Sequence, residues 1–287
     1  MGRKLLWLAI AIAWLAVGSA GCERPPAQAE LATSYQPIVG GEPDPGHPAV
    51  GLLTSGGGGC SGTLITPSIV LTAAHCTNGV QGGWFTIYGA DEAVLAEIKV
   101  KENIPHPDYG YWGASENPSD FDIGVAVLAE PATITPVALR TRSLECRAGT
   151  PLTFVGFGLT DILDVYSSGT KHIVQSSIKS VDAKTLVAGT TPGDPTCPCF
   201  GDSGGPALVT IGGRIEIVGV VSTGDWWCAH EDTLARVDSH ADWLLEKVLE
   251  HDPGGLPAEC GDGWCDLGED GTTCAADCVG GAVETGD

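Results

Sequence analysis

The chain has 287 residues, 36 of them acidic and 14 basic, for a formal net charge of −22. That length allows one large domain or two small ones, and so acidic a surface repels phosphate backbones, which excludes nucleic acid as a natural partner. Glycine is abundant (41 residues) and aromatic content is low (6%), a balance that favours many short strands and turns over long helices.

The chain opens with the basic stretch Met1–Lys4 and an apolar run from Leu5 to Val17. A small-residue exit, Gly18-Ser19-Ala20-Gly21-Cys22, follows. The run is short for a membrane span and has the layout of a signal peptide over residues 1–21. Export places the cysteines in an oxidising compartment, where most are expected in disulfides. Two readings of the exit stand. Cleavage after Ala20 gives a freely secreted protein. Ala20-Gly21-Cys22 also resembles a bacterial lipobox, with Ser19 where Leu is usual, and this implies a lipidated Cys22 attached to a membrane. The chain has 11 cysteines, and lipidating one leaves a number that can pair completely, which favours the second reading.

Residues 22–37 are rich in proline and alanine without apolar period and read as a linker or pro-segment. From 38 to 251 the text is strand-like. Val50–Thr54, Thr63–Ile65, Phe85–Tyr88, Ile123–Leu128, Leu152–Val155 and Ile215–Val221 are Val/Ile/Leu-rich runs separated by Gly, Pro and Asp. They predict an all-β barrel or sandwich. One helix is expected near the end, with Ser239–Asp242 as a capping box and Trp243, Leu244, Val248 and Leu249 on one face. Residues 252–259 read as a breaker-rich linker. A module over 260–278 then packs four cysteines into a unit too small for a core of its own. Residues 279–287 form a tail.

The chemistry concentrates at Gly201-Asp202-Ser203-Gly204-Gly205-Pro206. A serine between glycines sits on a tight turn that can aim backbone N–H groups at one point, as an oxyanion requires. A serine nucleophile needs a base, and the base needs an orienting carboxylate. His75, in Thr72-Ala73-Ala74-His75-Cys76, follows a short apolar strand. Asp122 opens the apolar run ending at Leu128, a poor place for a charge unless something binds it. The order His, Asp, Ser separates this arrangement from the subtilisin and α/β-hydrolase orders.

With these motifs, and with Ile38-Val39-Gly40-Gly41, Cys60–Leu64, Gly156-Phe157-Gly158 and Ser222-Thr223-Gly224, the chain resembles the chymotrypsin-like (trypsin-like) serine proteases. The resemblance spans roughly Ile38 to Leu249. It implies two six-stranded antiparallel β-barrels with a C-terminal helix, and a disulfide-rich tail beyond them. His75 and Asp122 would come from the first barrel and Ser203 from the second. The N–H groups of Gly201 and Ser203 would form the oxyanion hole, and Ser222, Thr223 and Gly224 would pair with the substrate backbone. Ile38, freed by cleavage, would place its ammonium on Asp202. The sequence departs from the family in having Pro37 before that bond in place of Lys or Arg, which argues against self-activation of the trypsin kind.

The position that trypsins fill with Asp at the base of the specificity pocket is Cys197 here, so the trypsin rule fails. Counting back along the opposite wall places Asp232 near the pocket floor, where a carboxylate would attract Lys or Arg; a small or apolar pocket is the competing reading. The segment from Tyr109 to Asp122 is a few residues longer than the family norm. The resemblance also implies bridges Cys60–Cys76 and Cys199–Cys228, with Leu152 and Val209 replacing a further common bridge. It leaves Cys146 and Cys197, which would pair with each other.

No cofactor is expected in the protease region. In the tail module Asp262, Asp266, Glu269, Asp270 and Asp277 are hard oxygen donors of the kind Ca²⁺ takes, although solvating charge around a disulfide knot is the simpler and preferred reading. Two functions follow. One is an exported endopeptidase, secreted or anchored through Cys22, acting as a monomer on protein or peptide substrates by an acyl-enzyme mechanism. The other is a binding or adhesion protein on a protease scaffold, with the cysteine-rich module doing the recognition.

Overall fold

The computed structural model describes residues 41–256 apart from 57, 111–116, 145–147, 162, 165, 190–197 and 225–230, together with 266–269, 272 and 274–278. The signal peptide, Cys22, the linker, Ile38, Cys146, Cys197, Cys228, Cys260 and Cys265 lie outside the described residues, as do residues 111–116 of the long segment before Asp122.

Fourteen strands make up most of the regular structure of the described residues. In the first half they are β1 (Glu42–Pro43), β2 (Val50–Ser55), β3 (Gly58–Thr66), β4 (Ile69–Thr72), β5 (Trp84–Tyr88), β6 (Val94–Pro105) and β7 (Gly124–Leu128). In the second half they are β8 (Ala138–Leu139), β9 (Pro151–Gly156), β10 (His172–Val181), β11 (Thr185–Gly189), β12 (Pro206–Ile211), β13 (Arg214–Gly224) and β14 (Glu231–Arg236). The helices are α1 (Ala74–Thr77), α2 (Ala241–His251) and α3 (Ala275–Cys278). Strands β2-β3-β4-β7-β6-β5 close into one antiparallel barrel. Strands β9-β10-β11-β14-β13-β12 form the second ring, closed by pairing of β12 with β9. The short β1 extends it beside β10, and β8 runs parallel to β13. The two six-stranded barrels implied by the sequence are present.

Closure requires strands to bend, and register shifts occur where they do, between Leu64 and Thr66 on β3, Val100 and Glu102 on β6, and Val221 and Thr223 on β13. Each barrel has its own apolar filling. Leu53, Leu64, Phe85 and Ile87 occupy the first, and Leu152, Phe154, Leu186 and Val209 the second. Leu152 and Val209 thus pack in one cluster, as expected of apolar residues standing where a bridge is absent. A third cluster joins the barrels: Leu71, Ile123, Val155, Phe157 and Val220 meet Leu244 and Val248 of α2.

Helix α2 differs from its sequence reading in two ways. The capping box does not form. Val237 already has helical dihedrals and the chain enters α2 through a 3-10 turn at Asp238–His240, so Ser239 lies inside a turn and its hydroxyl donates to Arg236 O (3.1 Å). The buried face holds Leu244 and Val248 with Leu245 partly covered, whereas Leu249 points to solvent.

Beyond α2 the chain does not swing free. Asp252 Oδ2 accepts from Thr66 Oγ1 (2.6 Å) and Ser68 N (3.0 Å) at the β3–β4 turn of the first barrel. Leu256 and Leu267 pack on the shared cluster. Asp266 Oδ1 then accepts from Arg214 Nη2 (2.6 Å) at the start of β13 in the second barrel. The C-terminal segment is therefore a strap across both barrels, and one of the five candidate Ca²⁺ ligands is committed to an arginine. Hydrogen bonds to a charged acceptor contribute about 1.5–3 kcal/mol each, so Asp252→Ala, which removes two of them, should lower unfolding free energy by about 3–6 kcal/mol, read by denaturant titration with unchanged m-value.

Candidate active site

His75 sits on the single turn of α1, directly after β4. Its neighbour Cys76 is bonded to Cys60 on β3, so the turn is tied covalently to the barrel. Asp122 ends a 3-10 turn, Pro118–Phe121, started by Asn117, whose side chain accepts from Ser119 N, with proline at the first position. The Asp122 carboxylate is buried and satisfied by three donors. His75 Nδ1 lies 2.8 Å from Oδ2, His75 N donates to Oδ1 (2.9 Å), and Ser222 Oγ donates to Oδ2 (2.6 Å). A carboxylate only accepts, so the proton sits on Nδ1 and Nε2 carries the free lone pair. The imidazole is a third exposed. This is the arrangement of a general base.

The turn around Ser203 is held against that base from the second barrel. Ser203 O accepts from Ser61 N (2.8 Å) and lies 3.9 Å from Cys76 Sγ, next to His75. Gly204 N donates to Val221 O (2.8 Å). Gly201 and Gly204 have φ of +101° and +80°, which glycine alone adopts without strain. A Cβ on Gly204 would fall 2.0 Å from Thr72 Oγ1 and 2.5 Å from Ser61 O. Missing side chains are what let the nucleophile turn press into β3 and β4. Ser61 gives the turn a second hold, since Ser61 Oγ donates to Gly201 O (3.0 Å) and accepts from Phe157 N (3.0 Å). Sequence reasoning passed over this role, although Ser61 lies in one of the motifs it singled out.

Asp202 is fully buried. Its oxygens accept from Gly158 N and Cys199 N, each at 2.8 Å. Among the described residues no cation pairs with it, and burial pushes its pKa up to about 7 against the pull of the two amide bonds. Ser222 is buried on β13, while Thr223 and Gly224 are exposed on the same strand. Asp232 pairs in register with Gly224 and is buried; a Cβ on Gly224 would come 2.3 Å from Asp232 Oδ1. The carboxylate thus lies against the strand expected to bind substrate. Cys199 is disulfide-bonded, as are Cys274 and Cys278. Among the described residues, the grouping of metal-ligating types is Cys60, His75 and Cys76, whose two sulfurs are spent on each other.

With this geometry, residues 38–244 match the family described as Trypsin. The chain belongs to the trypsin family. It is 30% identical over 220 residues to vitamin K-dependent protein C of Mus musculus, covering 67% of this chain and 46% of that protein, so it spans about half the length of that relative. It is also 30% identical over 238 residues to a protein named trypsin from Saccharopolyspora erythraea, covering 74% of this chain and 98% of the relative. The structure of mouse neuropsin, a serine protease, superposes with a TM-score of 0.61 at 23% identity, over 72% of this chain and 98% of that one, a likeness of fold.

Asp202 generates a prediction. Its folded pKa of about 7 lies above the ordinary 3.8, so the folded chain holds the proton more tightly than the unfolded one. The stability this confers is full below the ordinary value and is lost as pH rises through about 7. With the 37–38 bond intact, Asp202→Asn should flatten the fall in melting temperature between pH 4 and 7 that the parent shows; parallel curves would refute it.

Proposed function

We propose that this chain is an exported serine endopeptidase that cleaves peptide bonds through an acyl-enzyme, with Ser203, His75 and Asp122 as its catalytic residues. The observation that carries the proposal is the 2.8 Å contact of His75 Nδ1 with an Asp122 carboxylate sealed from water, beside a glycine-framed serine turn. In this reading Ser203 Oγ bonds to the scissile carbonyl carbon while His75 Nε2 takes its proton. The imidazolium, steadied by Asp122, then protonates the leaving amine as the C–N bond breaks. Water attacks the acyl group by the same proton path in reverse and frees Ser203. The N–H groups of Gly201 and Ser203 hold the oxyanion, each donor being worth roughly 3–4 kcal/mol.

Activation follows from Asp202. A free Ile38 ammonium delivered to this buried carboxylate would hold it ionised and remove the cost of charging it. Pro37 assigns the cut to another protease or to trimming from upstream. The register of Asp232 against Gly224 supports a preference for Lys or Arg side chains. The N-terminal exit supports export, with attachment through Cys22, and the cysteine-rich module acts as a built-in brace.

Labelling with a fluorophosphonate, before and after cleavage ahead of Ile38, tests nucleophile, oxyanion hole and activation together. The cut parent should label and Ser203→Ala should not, with kcat falling by at least ~10⁴-fold and folding intact. Peptidase activity that survives in Ser203→Ala would overturn the assignment. Asp232→Ser should lower kcat/KM for Lys and Arg esters while sparing Phe and Ala esters.

A further inference from the structure

The Asp122 carboxylate is the inner end of a row of hydroxyls. Ser222 Oγ lies 2.6 Å from Asp122 Oδ2 and 3.0 Å from Ser119 Oγ, and Ser119 Oγ lies 3.1 Å from Thr223 Oγ1. Each hydroxyl has one proton to give. Ser222 Oγ faces two acceptors with one proton, and its contact with the carboxylate is the shorter of the two. Either hydroxyl can donate the 3.1 Å bond between Ser119 and Thr223. The four side chains form one continuous row whose members polarise one another.

Ser119 is also tied to Asp122 through the backbone, because Asp122 N donates to Ser119 O (3.3 Å). Its side chain is buried, at 1% exposure, so water cannot stand in for a missing hydroxyl. Ser119 precedes β7 of the first barrel, whereas Ser222 and Thr223 lie on β13 of the second. The row therefore crosses the seam at the point where the carboxylate must face His75, and its outer end, Thr223, lies exposed on the strand expected to carry substrate.

We propose that Ser119 is a positioning residue for peptide hydrolysis, the middle rung of a hydroxyl ladder that fixes Asp122 toward His75 and links that orientation to the substrate strand at Thr223. The ladder rests on the reading of His75 and Asp122 given above. It acts through Asp122 and touches no reacting atom.

The test uses the full chain cut ahead of Ile38 and compares the parent with Ser119→Ala, Ser119→Thr, Thr223→Val and His75→Ala. The readouts are kcat and KM on a peptide amide, the downfield proton resonance of His75 Nδ1 and the thermal midpoint. Losing one net hydrogen bond corresponds to about 2- to 12-fold. Ser119→Ala should lower kcat within that range with KM unchanged and should move the resonance. Ser119→Thr should return both towards the parent. Thr223→Val should move them in the same direction by less, and it carries the test if Ser119→Ala does not fold. A resonance and kcat indifferent to Ser119→Ala, or to Thr223→Val in that case, overturn the ladder; so does a lowered midpoint with both unchanged. Failure of the functional reading is separate. A parent that does not label with fluorophosphonate, or that labels as fast after His75→Ala, overturns the catalytic assignment, while the resonance still reads the ladder.

Discussion

Everything in this molecule depends on how closely the Gly204 backbone can approach β3 and β4. In the proposed mechanism Ser203 belongs to one barrel and His75 to the other, so their meeting would be set by the seam. At that seam Gly204 leaves no room for a methyl group beside Thr72 Oγ1, and Ser61 grips the turn through both its amide and its hydroxyl. Close packing makes such a contact hard to shift by small amounts. The Cys60–Cys76 bridge anchors the same patch from the histidine side. Two independently filled barrels are thereby held as one frame.

In a chain of net charge −22, three buried carboxylates are treated in three ways. Asp122 is held by three partners, one of them the His75 ring. Asp202 has two backbone amides and is driven towards the neutral acid by burial. Burial would also raise Asp44, but the His47 hydrogen bond, the Gly46 amide and the charges of His47 and Lys171 bring it below the ordinary carboxylate value. Lys171 is buried too, and desolvation lowers its own pKa although Asp44 opposes this. That pair staples the segment leading from Ile38 to β10, since Asp44 N also donates to Lys171 O. The new N-terminus would thus be released from a fixed base.

The fold class was legible, and the candidate reacting groups stood out, because each carries a local signal. Short apolar runs between turn residues gave the inner strands, and the glycine-framed serine could be read directly. Strands β6 and β10 were not legible. Between Val94 and Pro105 only Val100 is fully buried, and charged residues interrupt the run, so an outer ribbon of the barrel looks like a polar loop. Helix α2 was found, but its entry was misread because a turn already in progress at Val237 left no extended residue to cap. Ser119 had no motif, although Asn117-Pro118 is a turn-starting pair that could have pointed to the buried hydroxyl behind it. Its importance arises from a contact with β13, 103 residues away in sequence, and no local pattern encodes that.

The C-terminal strap bears on the order in which the molecule can be completed. The first barrel uses residues 50 to 128, yet the carboxylate that satisfies its Thr66 and Ser68 lies 186 and 184 residues further along the chain. Contacts of such long range are slow to form because the intervening loop must close first. A chain made from its N-terminus therefore carries a first barrel without this hold until residue 252 has been added, so the last clasp on that barrel comes from beyond the second.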